Sequence, residues 1–307
     1  MQKPFVVFLG ANCFDEYYLT EGELAPGNKL MAEFRSKEVG GMIANAASVF
    51  AGYGGCACMM DFLDASPESD ELMRAMQGYG IHPAAISREP HYQNGKCMIL
   101  LSKDGERTIL VVEPKQKTYV LNQEQKQLLT ECAFLYTTIS DLKKLQDYQQ
   151  ALSAAFAGGA RLALDVESTS FSGSADLALI QEAELVFVNQ SALKKMQAAC
   201  GTQVLEALRQ KVPILVLTKG AQGSQIFRGA ESYAIPAFPA QVVDTTGAGD
   251  TFNASFLFAH MMAWGLLECG RFASAAASEK IARFGARAGV RPLADILKRL
   301  EAENAKG

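Results

Sequence analysis

Two glycines and an aspartate, set close together, carry the clearest chemistry in this chain. They lie in the run Asp244-Thr245-Thr246-Gly247-Ala248-Gly249-Asp250-Thr251-Phe252. The apolar pair Val242-Val243 precedes the run, and a helix-favouring stretch from Asn253 to Ala259 follows it. Glycine lets a backbone turn sharply and leaves its N–H groups uncovered. If a helix starts at Gly247, those groups lack intrahelical partners and sit at the positive end of the helix dipole. Such a place binds anions, phosphate above all. Asp250 would repel a resting phosphate. It suits a base that takes a proton from a nucleophile attacking a phosphoryl group. Gly249 is expected at a turn needing positive φ. A glycine-rich turn with a capping Asp accounts for the same residues without any chemistry, and alone it is at least as good a reading.

The elements that must position this run are readable around it. Val6 to Leu9 reads as strand, Gly41 to Tyr53 as a small-residue helix, and Cys56 to Phe62 as strand. Ser66-Pro67-Glu68 opens a helix with an N-cap and a proline at its first position. Asn122 and Gln125 form a capping-box pattern. From Ala133 the alternation is regular. Phe134 to Tyr136, Leu162 to Leu164, Leu185 to Val188 and Ile214 to Leu217 are strand-like. Between them lie helical stretches, the first running unbroken to about Phe156. Helices from Gly247, from about Glu268 to Arg283, and from Pro292 complete the chain. This order predicts an α/β fold, a three-layer α/β/α core with a mainly parallel sheet. Two segments, about 13–39 and 93–117, break the rhythm. They are strand-like or irregular, including strands at Cys97 to Leu101 and Thr108 to Val112 around the turn Lys103-Asp104-Gly105. They read equally as a small β lid over a site or as hairpins extending the main sheet.

Composition narrows the function classes. At 307 residues, one large domain over 1–307 with a small appendage fits better than two equal ones. Apolar residues at 49% and charged residues at 20% are ordinary for a globular protein. A net charge of −4 gives no footprint for nucleic acid. The short clusters Lys115 to Lys117, Lys143-Lys144 and Lys194-Lys195 read as solvated faces. No apolar run reaches membrane-spanning length. Seven scattered cysteines, with no secretory pattern before the first strand, predict reduced thiols and a cytoplasmic location.

A second glycine-rich segment is Gly40-Gly41-Met42-Ile43-Ala44-Asn45-Ala46-Ala47. Its small residues allow a helix to pack close to a sheet, and the Asn45 amide offers both donor and acceptor. A third, Thr218-Lys219-Gly220-Ala221-Gln222-Gly223, directly follows a strand. Loops at strand C-termini are where open α/β sheets bind ligands. Asn189 ends a neighbouring strand on the same edge.

With these motifs in this order, the chain resembles the ribokinase-like (PfkB-type) carbohydrate kinases from Gly10 to about Gly289. The resemblance implies ATP-dependent phosphorylation of a hydroxyl on a small sugar or sugar derivative, with Mg²⁺. It implies Asp250 as catalytic base and Gly247, Ala248 and Gly249 as the anion hole. Asn12, Asp15, Gly40, Gly41 and Asn45 match positions that hold the sugar. Asn189, Thr218, Gly220 and Gly223 match the nucleotide site, and Ser274 lies in the helix flanking the adenine. Asp244, Thr246 and Gly285 resemble a monovalent-cation site suited to K⁺. The lid of many relatives completes a homodimer, which is the expectation here.

There are departures. Ala192 stands where the family usually has a glutamate that organises Mg²⁺. Met42 replaces a lysine frequent in ribokinases proper, which weakens ribose as acceptor. Three rivals stand beside this reading. A nucleoside kinase of the same fold would need aromatic lid residues, and Tyr17, Tyr18, Phe34 and Tyr92 are available. A nicotinamide-dependent oxidoreductase fails on Phe252, which takes the place of the third glycine in G-x-G-x-x-G. A non-catalytic sugar sensor has no need of Asp250. His82, His91 and His260 lack partners at catalytic spacing. Arg107, beside the lid turn, suits a surface salt bridge somewhat better than an acceptor anion.

Overall fold

In the computed structural model, described residues are 4–22, 24–27, 29–102, 107–114 and 118–304, without the side chains of Arg107 and Asn304. The turn at Lys103-Asp104-Gly105, the cluster Lys115 to Lys117 and the side-chain role raised for Arg107 therefore lie outside the described residues.

The strands, in chain order, are β1 (Phe5–Leu9), β2 (Cys13–Thr20), β3 (Ala32–Gly40), β4 (Cys56–Leu63), β5 (His82–Arg88), β6 (Lys96–Leu101), β7 (Arg107–Val112), β8 (Phe134–Thr138), β9 (Arg161–Val166), β10 (Leu185–Asn189), β11 (Ile214–Thr218), β12 (Ser224–Arg228) and β13 (Glu231–Ile235). Nine of them form one sheet in the order β13-β12-β11-β10-β9-β8-β1-β4-β5. Every pairing from β11 to β5 is parallel, and β12 and β13 close one edge as an antiparallel hairpin. β1 is buried along its whole length, as a central parallel strand must be. Its side chains alternate between two cores. Phe5, Val7 and Leu9 face a layer with Leu135, Leu164 and Val186. Val6 and Phe8 face helices Met42–Gly52, Ala248–Met261 and Leu266–Ile281. The three-layer arrangement follows from this two-sided apolar strand.

The strand order reverses at β1, which has β4 on one side and β8 on the other. A crevice opens outside the carboxyl ends of parallel strands at such a point. The segments leaving β1, β8, β9, β10 and β11 all emerge on that edge.

The two irregular segments do not extend the main sheet. Their strands form a separate four-stranded sheet, β3-β2-β6-β7. Phe14 anchors it by packing on Leu63 and Leu72.

One local expectation changes, and the structure adds two elements without a sequence signal strong enough to place them. The helix expected from β8 to about Phe156 is two helices, Ile139–Lys143 and Tyr148–Ala157. The break is a backbone exchange: Tyr119 N–H donates to Lys144 O at 2.7 Å, and Gln146 N–H to Tyr119 O at 2.8 Å. β5 went unread because His82-Pro83-Ala84-Ala85 has little strand propensity; pairing with β4 supplies what propensity does not. The β12–β13 hairpin was missed although Gly229, at φ +55°, marks its turn.

Phe256 is wholly buried, with its ring 5.7 Å from that of Phe187, and it ties the helix after the glycine run to the sheet. Phe256→Ala should cost ~3–5 kcal/mol in urea unfolding. A loss below about 1 kcal/mol would show that this contact does not fix the helix.

Candidate active site

Gly247 caps helix Ala248–Met261 in the left-handed conformation, with φ +76°. A Cβ there would lie 2.4 Å from Ala286 O, so both backbone angle and space require glycine. Gly249 differs from expectation. It is already inside the helix, is not at positive φ, and a Cβ on it would meet nothing within 4 Å. Ala248 N–H is turned back to Thr245 O at 3.2 Å.

Asp250 follows in the first turn and is only partly exposed. Asn45 Nδ2 donates to its Oδ2 at 2.8 Å. Burial pushes the Asp250 carboxyl up to about 8; Asn45 opposes this, and the charges of Asp165, Glu167 and Asp15 add to it.

The second glycine segment has a geometric reason. A Cβ on Gly40 would lie 2.2 Å from Asp15 Oδ2, and one on Gly41 would lie 2.3 Å from Ala11 O. Gly40 thus makes room for the Asp15 carboxylate. Gly41, at φ +96°, lets helix Met42–Gly52 start against the chain leaving β1. Asp15 is buried, which raises its carboxyl, while Cys97 and Arg287 act in the other direction. Asn12 is engaged entirely within the protein. Its N–H donates to Asp61 at 2.8 Å, its Nδ2 to Leu72 O at 3.4 Å, and its Oδ1 accepts from Arg287 at 2.7 Å.

Arg287 is the residue sequence reasoning passed over. It is buried, and it also donates to Asn45 Oδ1 at 3.2 Å and to Gly40 O at 3.0 Å. By filling the Asn45 oxygen it fixes which end of that amide faces Asp250. Burial lowers its guanidinium to about 10. Arginine between two alanines in a glycine-flanked stretch, Gly285-Ala286-Arg287-Ala288-Gly289, reads as solvated, and nothing local signals that it turns inward.

Of the residues expected at a nucleotide site, Asn189, Thr218, Gly220 and Gly223 collect on the carboxyl edge of the sheet. Asn189 and Thr218 are register partners at the ends of β10 and β11. Asn189 caps helix Gln190–Cys200 by accepting from Ala192 N at 2.7 Å. Gly220 and Gly223, at φ +57° and +80°, shape the loop after Thr218, and a Cβ on Gly223 would lie 2.0 Å from Ile235 O. Ser274 is buried, and its hydroxyl donates to Pro236 O at 2.8 Å, so it ties a helix to the exit of β13. Two carboxylates not singled out from sequence stand nearby. Glu167 approaches Asn189 Nδ2 at 3.5 Å, and burial raises its carboxyl. Asp165 is pushed to about 7 by burial and Glu167, despite bonds from Tyr136 at 3.0 Å and Asn253 at 2.9 Å.

Asp244, Thr246 and Gly285 do come together. Thr246 N–H and Oγ1 donate to Asp244 Oδ1 at 2.9 and 2.7 Å, and Gly285 N–H donates to Asp244 Oδ2 at 3.0 Å.

A nine-stranded α/β sheet with a separate small β sheet, and a glycine-opened helix carrying an aspartate, agree with what comparison finds. The model of the pfkB family of carbohydrate kinases matches residues 3–292, and the chain belongs to that family. The ribokinase of Bacillus subtilis is 42% identical over 87 residues, 28% of this chain and 30% of that one. The match thus spans less than a third of that relative. The structure of Arabidopsis thaliana ribokinase complexed with ribose and ATP superposes with a TM-score of 0.85 at 23% identity, covering 98% of this chain and 99% of the other. Burkholderia thailandensis nucleoside kinase in complex with inosine gives 0.83 at 22% identity, covering 98% and 97%. At these identities the two structures attest a common fold.

The two glycines of the turn should part company on mutation. Gly247→Ala should lower the melting temperature. Gly249→Ala should leave it unchanged or raise it, since alanine in a helix is worth roughly 0.5–1 kcal/mol over glycine. Calorimetry of both variants checks this, and equal losses would contradict the difference in backbone geometry.

Proposed function

We propose that this protein transfers the γ-phosphoryl group of ATP to a hydroxyl of a small sugar or sugar derivative. The observation that carries the reading is one helical turn in which a partly buried carboxylate, Asp250, stands beside a glycine-opened helix start. Asp250 is oriented by Asn45, and Gly247, Ala248 and Gly249 open the helix beside it.

The chemistry follows from that placement. Asp15 and Asn45, which line the side of the crevice next to β2, suit the acceptor hydroxyls. Asp250 accepts the proton of the attacking hydroxyl, and its raised affinity for protons makes it a stronger base than an ordinary carboxylate. The first-turn amides and the helix dipole meet charge developing on the transferred group. Thr218, Gly220, Gly223 and Asn189 suit the nucleotide. The triphosphate oxygens would be neutralised by Mg²⁺ bound with them. The donor that suits the ion is Glu167, whose carboxylate approaches Asn189, while Ala192 offers none. Asn12 serves this reading best as a support for Arg287 and not as a sugar contact.

The small sheet suits a lid, and its outer residues suit a second copy of the chain. Phe34 is 56% exposed and Val111 66%.

A nucleoside acceptor has one observation in its favour. Tyr17, on the same strand face as Asp15, packs its ring 5.6 Å from that of Phe284, which is largely exposed. The other aromatic candidates suit stacking poorly: Tyr92 is buried against Phe62 and Tyr119, and Tyr18 pairs with Phe34. Release of ADP against a panel of sugars, sugar acids, sugar phosphates and nucleosides decides between the readings. Turnover of a sugar is expected, and turnover of nucleosides alone would transfer the site to the rival.

Asp250→Asn should lower kcat by ~10²–10⁴-fold while ATP binding persists. Retention of more than about a tenth of the rate would remove Asp250 as base. In the parent enzyme kcat/KM for the acceptor should rise with pH toward about 8. Stability runs the opposite way. A carboxyl whose folded pKa is raised favours unfolding increasingly as pH climbs from about 4 toward the folded value. Asp250→Asn should therefore raise the melting temperature relative to the parent, and by more at pH 8 than at pH 5. Thermal scans at both values check the sign.

A further inference from the structure

Lysine is almost never fully buried unless paired. Lys280, in the last turn of helix Leu266–Ile281, is 0% exposed. Its ammonium points into the loop that opens the glycine run. Nζ donates to the backbone O of Asp244 at 2.7 Å and of Arg283 at 3.2 Å, and lies 3.5 Å from Asp244 Oδ2. An ammonium has three protons to give, and here three oxygens surround it. The stem passes where Gly289 has no side chain. A Cβ at Gly289 would lie 3.0 Å from Lys280 Cγ and 2.3 Å from Thr251 Oγ1.

Two of these oxygens belong to Asp244, and the third to Arg283, two residues before Gly285; Asp244 and Gly285 are positions that the sequence resemblance marks for a monovalent cation. The residues present do not fit such an ion. Asp244 Oδ1 is taken by Thr246, Oδ2 by Gly285 N–H, and the backbone oxygen by Lys280. A potassium ion needs carbonyl and carboxylate oxygens in place of its water shell. Placed here, it would contend with a like charge for the same oxygens at close range.

We propose that the Lys280 ammonium takes the place of an activating monovalent cation, so that the turn leading to Gly247 is held by a charge the chain itself carries. A primary ammonium and a potassium ion share charge and similar size, and both suit a nest of carbonyl oxygens. Lys280 is a positioning residue: it touches Asp244 and acts through it on the start of the helix. The catalytic consequence rests on the reading of that helix start as the phosphate site. The occupancy of the cation position does not.

The test compares KCl with choline chloride at equal concentration, reading both melting temperature and kcat. The parent protein should show no shift in melting temperature and less than about a twofold change in kcat. Lys280→Ala empties the position. In choline it should melt lower and lose about tenfold or more in kcat, through displacement of the turn. KCl or methylammonium chloride should restore both. Lys280→Met keeps the bulk and removes the charge, so it should be impaired and not rescued. Activation of the parent several-fold by KCl would overturn the proposal, as would a Lys280→Ala protein indifferent to KCl in both readouts. If neither variant folds, the response of the parent alone decides. If no acceptor is phosphorylated, the kinase reading fails by itself, and the melting curves still decide on Lys280.

Discussion

One carbonyl sets the position of nearly everything in the candidate site. Ile281 O, at the end of its helix, accepts from the N–H groups of both Val243 and Asp244, at 2.7 and 3.1 Å. Helix C-termini leave such carbonyls without intrahelical partners, so an approaching chain can be fixed there at little cost. Once Asp244 is fixed, its carboxylate takes Thr246 on one oxygen and Gly285 on the other. The chain then has three residues in which to reverse and enter a helix. A left-handed glycine packed on Ala286 O completes that reversal. The direction of the helix dipole and the position of Asp250 both descend from this docking.

The second organising element is the buried guanidinium of Arg287. It reaches Asn12 after β1, Gly40 at the end of β3 and Asn45 in the helix that follows. Two stretches far from Arg287 in sequence, at Asn12 and at Gly40 to Asn45, are thereby held to one planar group, whose fork geometry leaves little freedom in how they sit. This part of the candidate site is thus assembled around a cation, and the charges of two carboxylates, Asp15 and Asp250, act on it. Burying these like charges in one cavity is unfavourable for folding. The pattern fits a site whose charges are completed only when ligands arrive.

The large sheet was legible because parallel strands buried on both faces leave continuous apolar runs, as at Phe134 to Tyr136 and Leu185 to Val188. Caps were legible for the same local reason: Ser66 and the Asn122–Gln125 box act within a single turn. The glycine run told where a helix would start, but not which of its glycines is left-handed. That depends on Ala286, nearly forty residues on. Lys280 and Arg287 were illegible in principle. An isolated cation in a helical or glycine-flanked stretch reads as solvated, and only tertiary structure supplies the oxygens that justify burying it. Similarly, the two irregular segments gave no sign whether they would join the main sheet, because strand pairing between distant segments leaves no local trace.

The contact between Gly40 and Asp15 limits how this site can change over time. Any side chain at position 40 would begin inside the volume of the Asp15 carboxylate, 2.2 Å from its Oδ2. A larger residue at 40 is therefore admissible only after position 15 has shrunk or turned away, and by then the candidate site has lost the Asp15 carboxylate. The two positions are bound in epistasis, with the viable route running through 15 first. A lineage altering its acceptor by single steps would find this corner of the crevice closed and would have to vary elsewhere, at Met42 or along the partly exposed Tyr17–Phe284 wall, where no such collision stands in the way.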